Sequence, residues 1–218
     1  MDILEADSIW LEYNGRKVLQ SIYLKVETGK VTGLLGRNGT GKTSLLRMIF
    51  GSLRGQNQSV RINGDYVSHP YLEKNLLRYL PQVPFAPKGL TVEKLCSLYS
   101  VSFSEMVSNF PDLEKYKKEQ LWNLSGGNMR LVETLLILLS PVSFVLLDEP
   151  FTHLDPVIIE QLLVIINEQK NNKGIILSDH FYRYVLSASD AVYLIIPGGK
   201  SVLLKEPQEN LKSLGYIS

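Results

Sequence analysis

The sequence predicts an α/β protein whose core is a mostly parallel sheet, with a small antiparallel β subdomain beside it and a helical subdomain inserted into it. Three observations carry this prediction. Strand-like and helix-like segments alternate along most of the chain, the pattern of a parallel sheet joined by crossover helices. The segments at 31–35, 144–147 and 175–177 are apolar or small throughout, as strands covered on both faces are. Between the first of these and the helix after it lies a glycine-rich turn, Gly36-Arg37-Asn38-Gly39-Thr40-Gly41-Lys42-Thr43.

Residues 3–30 read as short strands, and Asn14-Gly15 between apolar runs marks a hairpin turn. A second such turn, Asn63-Gly64, lies within 60–67, and these pieces form the small antiparallel sheet. A strand at 76–80 ends at Pro81-Gln82 and gives way to a loop with Pro84, Pro87 and Gly89. Thr91 is placed to cap a helix whose Leu95 and Leu98 face inward. This mixed, helix-leaning region is the inserted subdomain, bounded at 85–124. Leu124-Ser125-Gly126-Gly127-Asn128 then leads into a helix with Leu131, Val132, Leu135, Leu136 and Leu139 at three-to-four spacing. The strand at 144–147 ends in Asp148-Glu149-Pro150. After it come a helix at 158–166, a strand at 175–177, a short helix at 182–187 and a terminal hairpin of strands at 191–196 and 201–204. No internal repeat or low-complexity tract interrupts the chain, and 1–218 is expected to be one domain.

Apolar residues make up 44% and charged ones 21%, ordinary values for a soluble globular protein. A formal net charge of +1 offers no field for nucleic acid, so no direct nucleic-acid partner is expected. Cys96 alone cannot form an internal disulfide, which fits a reducing compartment. Asp2 and Glu5 stand where an export signal carries base. The longest uncharged stretch, 134–147, is broken by Ser140-Pro141 and falls short of the ~20 apolar residues of a bilayer crossing.

The turn at 36–43 matches the phosphate-binding P-loop: Gly, four residues, then Gly-Lys-Thr, between a strand and a helix. Gly36, Gly39 and Gly41 let the backbone curl tightly enough to aim successive N–H groups, those of Arg37, Asn38 and Thr40 among them, at phosphate oxygens. Lys42 reaches the β- and γ-phosphates as a point charge, and Thr43 offers its hydroxyl to Mg²⁺. Ser44 follows in the first turn of a helix whose N-terminus adds partial positive charge. The bland alternative is a glycine-rich turn that merely links strand to helix. Asp148 and Glu149 end an apolar strand, where open α/β sheets line their ligand crevice. Asp148 is expected to hold Mg²⁺, directly or through water, and Glu149 to polarise a water for in-line attack on the γ-phosphate of ATP. Alone, the two acids could equally be a solvated pair.

The P-loop, Gln82, Leu124-Ser125-Gly126-Gly127-Asn128, Leu147-Asp148-Glu149-Pro150, Leu154-Asp155 and Ser178-Asp179-His180 together resemble the ATP-binding-cassette (ABC) ATPases over nearly the whole chain. Leu-Ser-Gly-Gly before a helix is the diagnostic part, since other P-loop families lack it. The resemblance implies that Ser125, Gly126, Gly127 and Asn128 form a second anion site. It closes over ATP on a partner's P-loop in a head-to-tail dimer, with an identical chain or another ABC ATPase subunit. It further implies that Asp155 belongs to the loop crossing that interface, and that Gln82 contacts Mg²⁺ and the attacking water. His180 becomes the switch histidine on the γ-phosphate, and Tyr13 the aromatic that stacks on adenine. His69 and His153 are left as exposed loop residues.

Two departures stand out. Asn128 replaces the glutamine that usually closes the Leu-Ser-Gly-Gly motif, and Met129-Arg130-Leu131-Val132-Glu133 is less basic than the usual continuation. The function implied is the cytoplasmic ATPase subunit of a transporter, peripheral on the membrane through a separate transmembrane subunit. A partner helix could seat at 83–98 against Phe85, Leu90 and Leu95, unless these are the subdomain's own core. A soluble ABC ATPase of translation or DNA repair is the alternative, without the basic stripe, coiled coil or zinc insert it calls for. A small-molecule kinase leaves the Ser125 motif unexplained. The Asp148-to-Phe151 and Ser178-to-His180 motifs resemble a branch containing both lipopolysaccharide exporters and branched-amino-acid importers, so direction and substrate stay open.

Overall fold

A computed structural model of the chain describes residues 1–217. The first hairpin joins β1 (Ile3–Tyr13) to β2 (Arg16–Glu27), both longer than the short strands expected. Their turn residues take left-handed φ values, 49° at Asn14 and 78° at Gly15, as a two-residue hairpin turn requires. Polar and apolar residues largely alternate along both strands, so one face is buried; register shifts near Ser8 in β1 and near Ser21 in β2 interrupt the alternation. The second Asn-Gly turn joins β4 (Asn57–Ile62) to β5 (Asp65–Tyr66), completing an antiparallel sheet of order β2-β1-β4-β5.

The second sheet contains β3 (Val31–Gly36), β6 (Leu77–Leu80), β7 (Phe144–Asp148), β8 (Gly174–Ser178), β9 (Ala191–Ile196) and β10 (Lys200–Leu204), in the order β10-β9-β3-β8-β7-β6. All its pairings are parallel except that of the edge strand β10. Every residue of β3, β7 and β8 is buried, because both faces are covered. On one face Leu34, Leu146 and Ile176 pack with Leu45 and Leu46 of α1 (Lys42–Phe50) and with the inner side of the antiparallel sheet. On the other, Val145, Leu147, Ile175 and Leu177 pack with α4 (Gly126–Leu138), α5 (Pro156–Gln169) and α6 (Tyr182–Ala188).

Between β6 and α4 the chain forms α2 (Val92–Leu98), α3 (Phe103–Asn109) and short 3-10 turns at Pro111–Tyr116 and Leu121–Asn123. Thr91 caps α2 by accepting the Lys94 N–H at 3.4 Å. Leu95 is buried as expected, but Leu98 is 59% exposed. The inward stripe of this short helix runs through Val92, Leu95 and Cys96, and Leu98 falls off it. Leu95 therefore belongs to the subdomain's own core, while Phe85 and Leu90 are partly buried against it. A further helix, α7 (Pro207–Ser213), follows the terminal hairpin; a single buried anchor, Leu211, left no period to read in the sequence. Among the described residues no helix is long and apolar enough to cross a membrane.

Candidate functional site

The C-terminal ends of β3, β7 and β8 meet at one crevice, where open α/β sheets bind ligands. A cavity of about 410 Å³ opens there, lined by Val18, Asn38, Gly39, Gly41, Lys42, Thr43, Ser44, Gln82, Glu149 and His180. Gly39 and Gly41 have φ values of 76° and 100°, which L side chains rarely adopt, and a Cβ on Gly41 would meet Leu19 at 2.8 Å. The curled backbone wraps the Lys42 ammonium, which donates to the carbonyls of Gly36 at 2.7 Å and Arg37 at 3.3 Å. Burial draws the Lys42 pKa below its ordinary value, and the Glu149 and Asp148 carboxylates oppose this. A buried cation among backbone N–H groups is a site for an anion.

The remaining P-loop side chains turn away from the cavity. Arg37 donates to the Gly215 carbonyl at 2.6 Å, and Thr40 braces the turn by donating to the Arg37 carbonyl at 2.8 Å. Gly36 is buried at the end of β3.

Glu149 stands opposite Lys42. Its φ of 56° is left-handed, a conformation that costs free energy in a non-glycine residue and clusters at functional sites. Its N–H donates to the Ser178 carbonyl at 2.7 Å. Its Oε1 accepts from Gln82 Nε2 and from His180 Nε2, both at 2.6 Å, which requires the histidine proton on Nε2. Two separate segments thus converge on one carboxylate oxygen of a third.

Asp148 is fully buried beside it. Its Oδ2 accepts the Tyr79 hydroxyl at 3.0 Å, whereas Oδ1 has no hydrogen-bond partner. Burial pushes the Asp148 pKa up, and the Thr43 and Tyr79 hydroxyls oppose this. A buried, unpartnered carboxylate oxygen near a threonine hydroxyl fits a hard, oxygen-seeking divalent cation. Among the described residues no cluster of three or more His, Cys, Asp or Glu could hold a metal. A cation here would share Asp148 and Thr43 with oxygens of the ligand.

The other expected residues lie outside this cavity. Tyr13 is exposed at the end of β1, and Ser125 and Gly126 are exposed at the start of α4. Ser125 caps that helix by accepting the Asn128 N–H at 3.3 Å, and the Asn128 amide donates to the Tyr116 hydroxyl at 2.9 Å. Asp155 is exposed ahead of α5.

Several residues around the site escaped the sequence reading. Val18 lines the cavity from β2. Arg130, 5% exposed, donates to the carbonyls of Pro81 at 2.7 Å, Asp148 at 2.5 Å and Glu149 at 2.9 Å, clasping the ends of β6 and β7. Glu133 accepts the N–H groups of Phe85 and Ala86 at 2.9 and 3.2 Å, fixing the loop beyond Gln82. Asp179 accepts from Phe151 N–H and Phe181 N–H, both at 3.0 Å, and so ties the turn after Glu149 to the loop bearing His180. For Arg130 and Glu133 the available signal was two opposite charges three residues apart in a mostly apolar helix, since buried charges are almost always paired.

Gly127 has a packing role. A Cβ there would lie 2.6 Å from the carbonyl oxygen of His153, itself at a left-handed φ of 63°. The segment between Glu149 and Asp155 therefore rests directly on the start of α4. Gly127→Ala is expected to lower stability by about 1–3 kcal/mol, read from the midpoint of urea unfolding.

The fold and the cavity define a P-loop nucleotide-binding protein. The sequence profile of the family described as ABC transporter matches residues 19–152. The lipopolysaccharide export system ATP-binding protein LptB of Haemophilus influenzae is 30% identical over 225 residues, covering 96% of this chain and 92% of that protein. A probable ABC transporter ATP-binding protein of Azorhizobium caulinodans is 31% identical over 222 residues, covering 95% and 78%. The solved ATP-binding subunit of an ABC transporter superposes with a TM-score of 0.82 at 25% identity, covering 98% of both chains. The chain belongs to the ABC transporter ATP-binding family and is an ATPase of that family, as its motifs imply.

Proposed function

We propose that the chain is one cassette, 1–218 with its helical subdomain at 85–124, that binds ATP with Mg²⁺ and closes head to tail on a second ABC ATPase subunit. It works at the cytoplasmic face of a membrane, powering transport through a separate transmembrane partner. The observation that carries this reading is the convergence of Lys42, Gln82, Glu149 and His180 on one cavity at the strand ends. Lys42 and the N–H groups of 36–44 hold the β- and γ-phosphates. Asp148, Thr43 and Gln82 hold Mg²⁺, which supplies charge neutralisation on the phosphate oxygens when bound. Glu149 takes the proton of the attacking water, and its Gln82 and His180 contacts orient it until the γ-phosphate draws the histidine away.

Tyr13 stacks on adenine. Ser125, Gly126, Gly127, Asn128 and Asp155 act on the nucleotide of the partner subunit, identical or related, which is consistent with the exposure of Ser125, Gly126 and Asp155 and with the absence of all five from the chain's own cavity. An apolar groove of about 440 Å³, lined by Phe50, Tyr79, Phe85, Leu98, Tyr99 and Ile137, lies beside the Gln82 loop and suits a helix of the transmembrane partner. A net charge of +1 gives no support to a nucleic-acid partner, and hence to a translation or repair role. The tagged chain purified from native membranes is expected to bring an integral membrane protein with it. Recovery of the chain free of any such protein would count against the reading.

A further inference from the structure

We propose that Ser178 is a further positioning residue of the cation site, holding with Asp148 a water of the hydrated divalent cation against the start of α1. The inference rests on the nucleotide-site reading above and adds a residue to it.

β7 and β8 run parallel with Asp148 opposite Ser178 in register. Alternate residues of a strand share a face, so Leu146 and Ile176 lie on the same face as Asp148 and Ser178. Leu146 and Ile176 pack in one cluster with Leu45 and Leu46 of α1. The carboxylate and the hydroxyl therefore face the helix whose first turn carries Lys42 and Thr43.

Both residues are 0% exposed, and Asp148 Oδ1 and Ser178 Oγ each lack a hydrogen-bond partner, while Asp148 Oδ2 is taken by Tyr79. Buried polar groups are rarely left unpaired, and two on register partners call for a common ligand. A carboxylate oxygen accepts and a hydroxyl both donates and accepts, which suits a shared water. Mg²⁺ keeps several of its waters and is bound through one or two carboxylates plus phosphate oxygens, so a hydrated cation supplies such a ligand.

The test uses Mn²⁺ as a paramagnetic probe in place of Mg²⁺, titrated with ADP into wild type, Ser178→Ala and Ser178→Cys, with Ser178→Thr retaining the hydroxyl. Losing one such hydrogen bond is expected to weaken Mn²⁺ binding about fivefold in the Ala and Cys variants. ADP affinity without metal should stay unchanged, the Thr variant should bind as wild type does, and the unfolding temperature of Ser178→Ala should be unchanged or higher. Equal Mn²⁺ affinity in wild type, Ala and Cys overturns the assignment of Ser178 and leaves the nucleotide site standing. A matching loss of metal-free ADP affinity also overturns it, because a distorted site then explains both. Failure of wild type itself to bind Mn²⁺ with ADP overturns the cation-site reading and Ser178's role together.

Discussion

Glu149→Gln is expected to bind ATP as the parent does and to hydrolyse it about 10²–10⁴-fold more slowly, the usual contribution of a general base. The change is nearly isosteric. Its amide oxygen can still accept from Gln82 and His180, and the left-handed backbone at 149 is unaltered, so the cavity keeps its shape. What is lost is the ability to take a proton from water. The neighbouring carboxylates are not placed to substitute: Asp148 is fully buried, outside the cavity lining, with one oxygen on Tyr79 and the other on the proposed cation's side, and both oxygens of Asp179 are held by backbone N–H groups. Phosphate release at the parent rate, measured with saturating ATP, would move the base elsewhere.

Lys42→Ala is expected to weaken ATP binding about 10–100-fold, the effect of losing a hydrogen bond to a charged group. Its ammonium is buried in the loop that curls around it, where a phosphate would replace the Gly36 and Arg37 carbonyls as its partner. The fold should survive the change, because Lys42 is held in the ligand-free chain at a desolvation cost, seen in its lowered pKa. Calorimetric titration with ATP reads the affinity, and an unfolding scan without nucleotide reads the stability. Unchanged affinity would take Lys42 out of the phosphate site.

Much of this was legible in the sequence where the determinant is local. The Asn14-Gly15 and Asn63-Gly64 turns need left-handed φ, and both adopt it. The P-loop glycines, Lys42 and Thr43 sit within eight residues of one another, so their spacing is their geometry. Uniform apolarity marked β3, β7 and β8 as strands covered on both faces. Non-local determinants escaped. Nothing in the chain order reveals that β8 lies between β3 and β7, and this insertion is what sets Ser178 beside Asp148. Arg130 gave only the sense of a departure from a pattern, because its carbonyl partners at 81, 148 and 149 come from two other strands' ends. The motif marks Gly127 only as part of an anion site, while its missing Cβ makes room for the carbonyl of His153, a residue expected to be a plain loop histidine. Spacing alone places Leu98 inward, although seven helical residues are too few for the apolar stripe to be located without its neighbours.

In the proposed closure, ATP brings two subunits together so that Ser125, Gly126, Gly127 and Asn128 of one meet the nucleotide of the other. The amide of Asn128 is engaged by Tyr116 at 2.9 Å in the single chain, so closure relies on the Ser125 hydroxyl and the exposed start of α4. Light scattering behind size-exclusion chromatography on Glu149→Gln, with and without Mg-ATP, tests this most directly. A monomer is expected alone and a dimer only with nucleotide; a chain that binds ATP and remains monomeric would overturn the proposed closure.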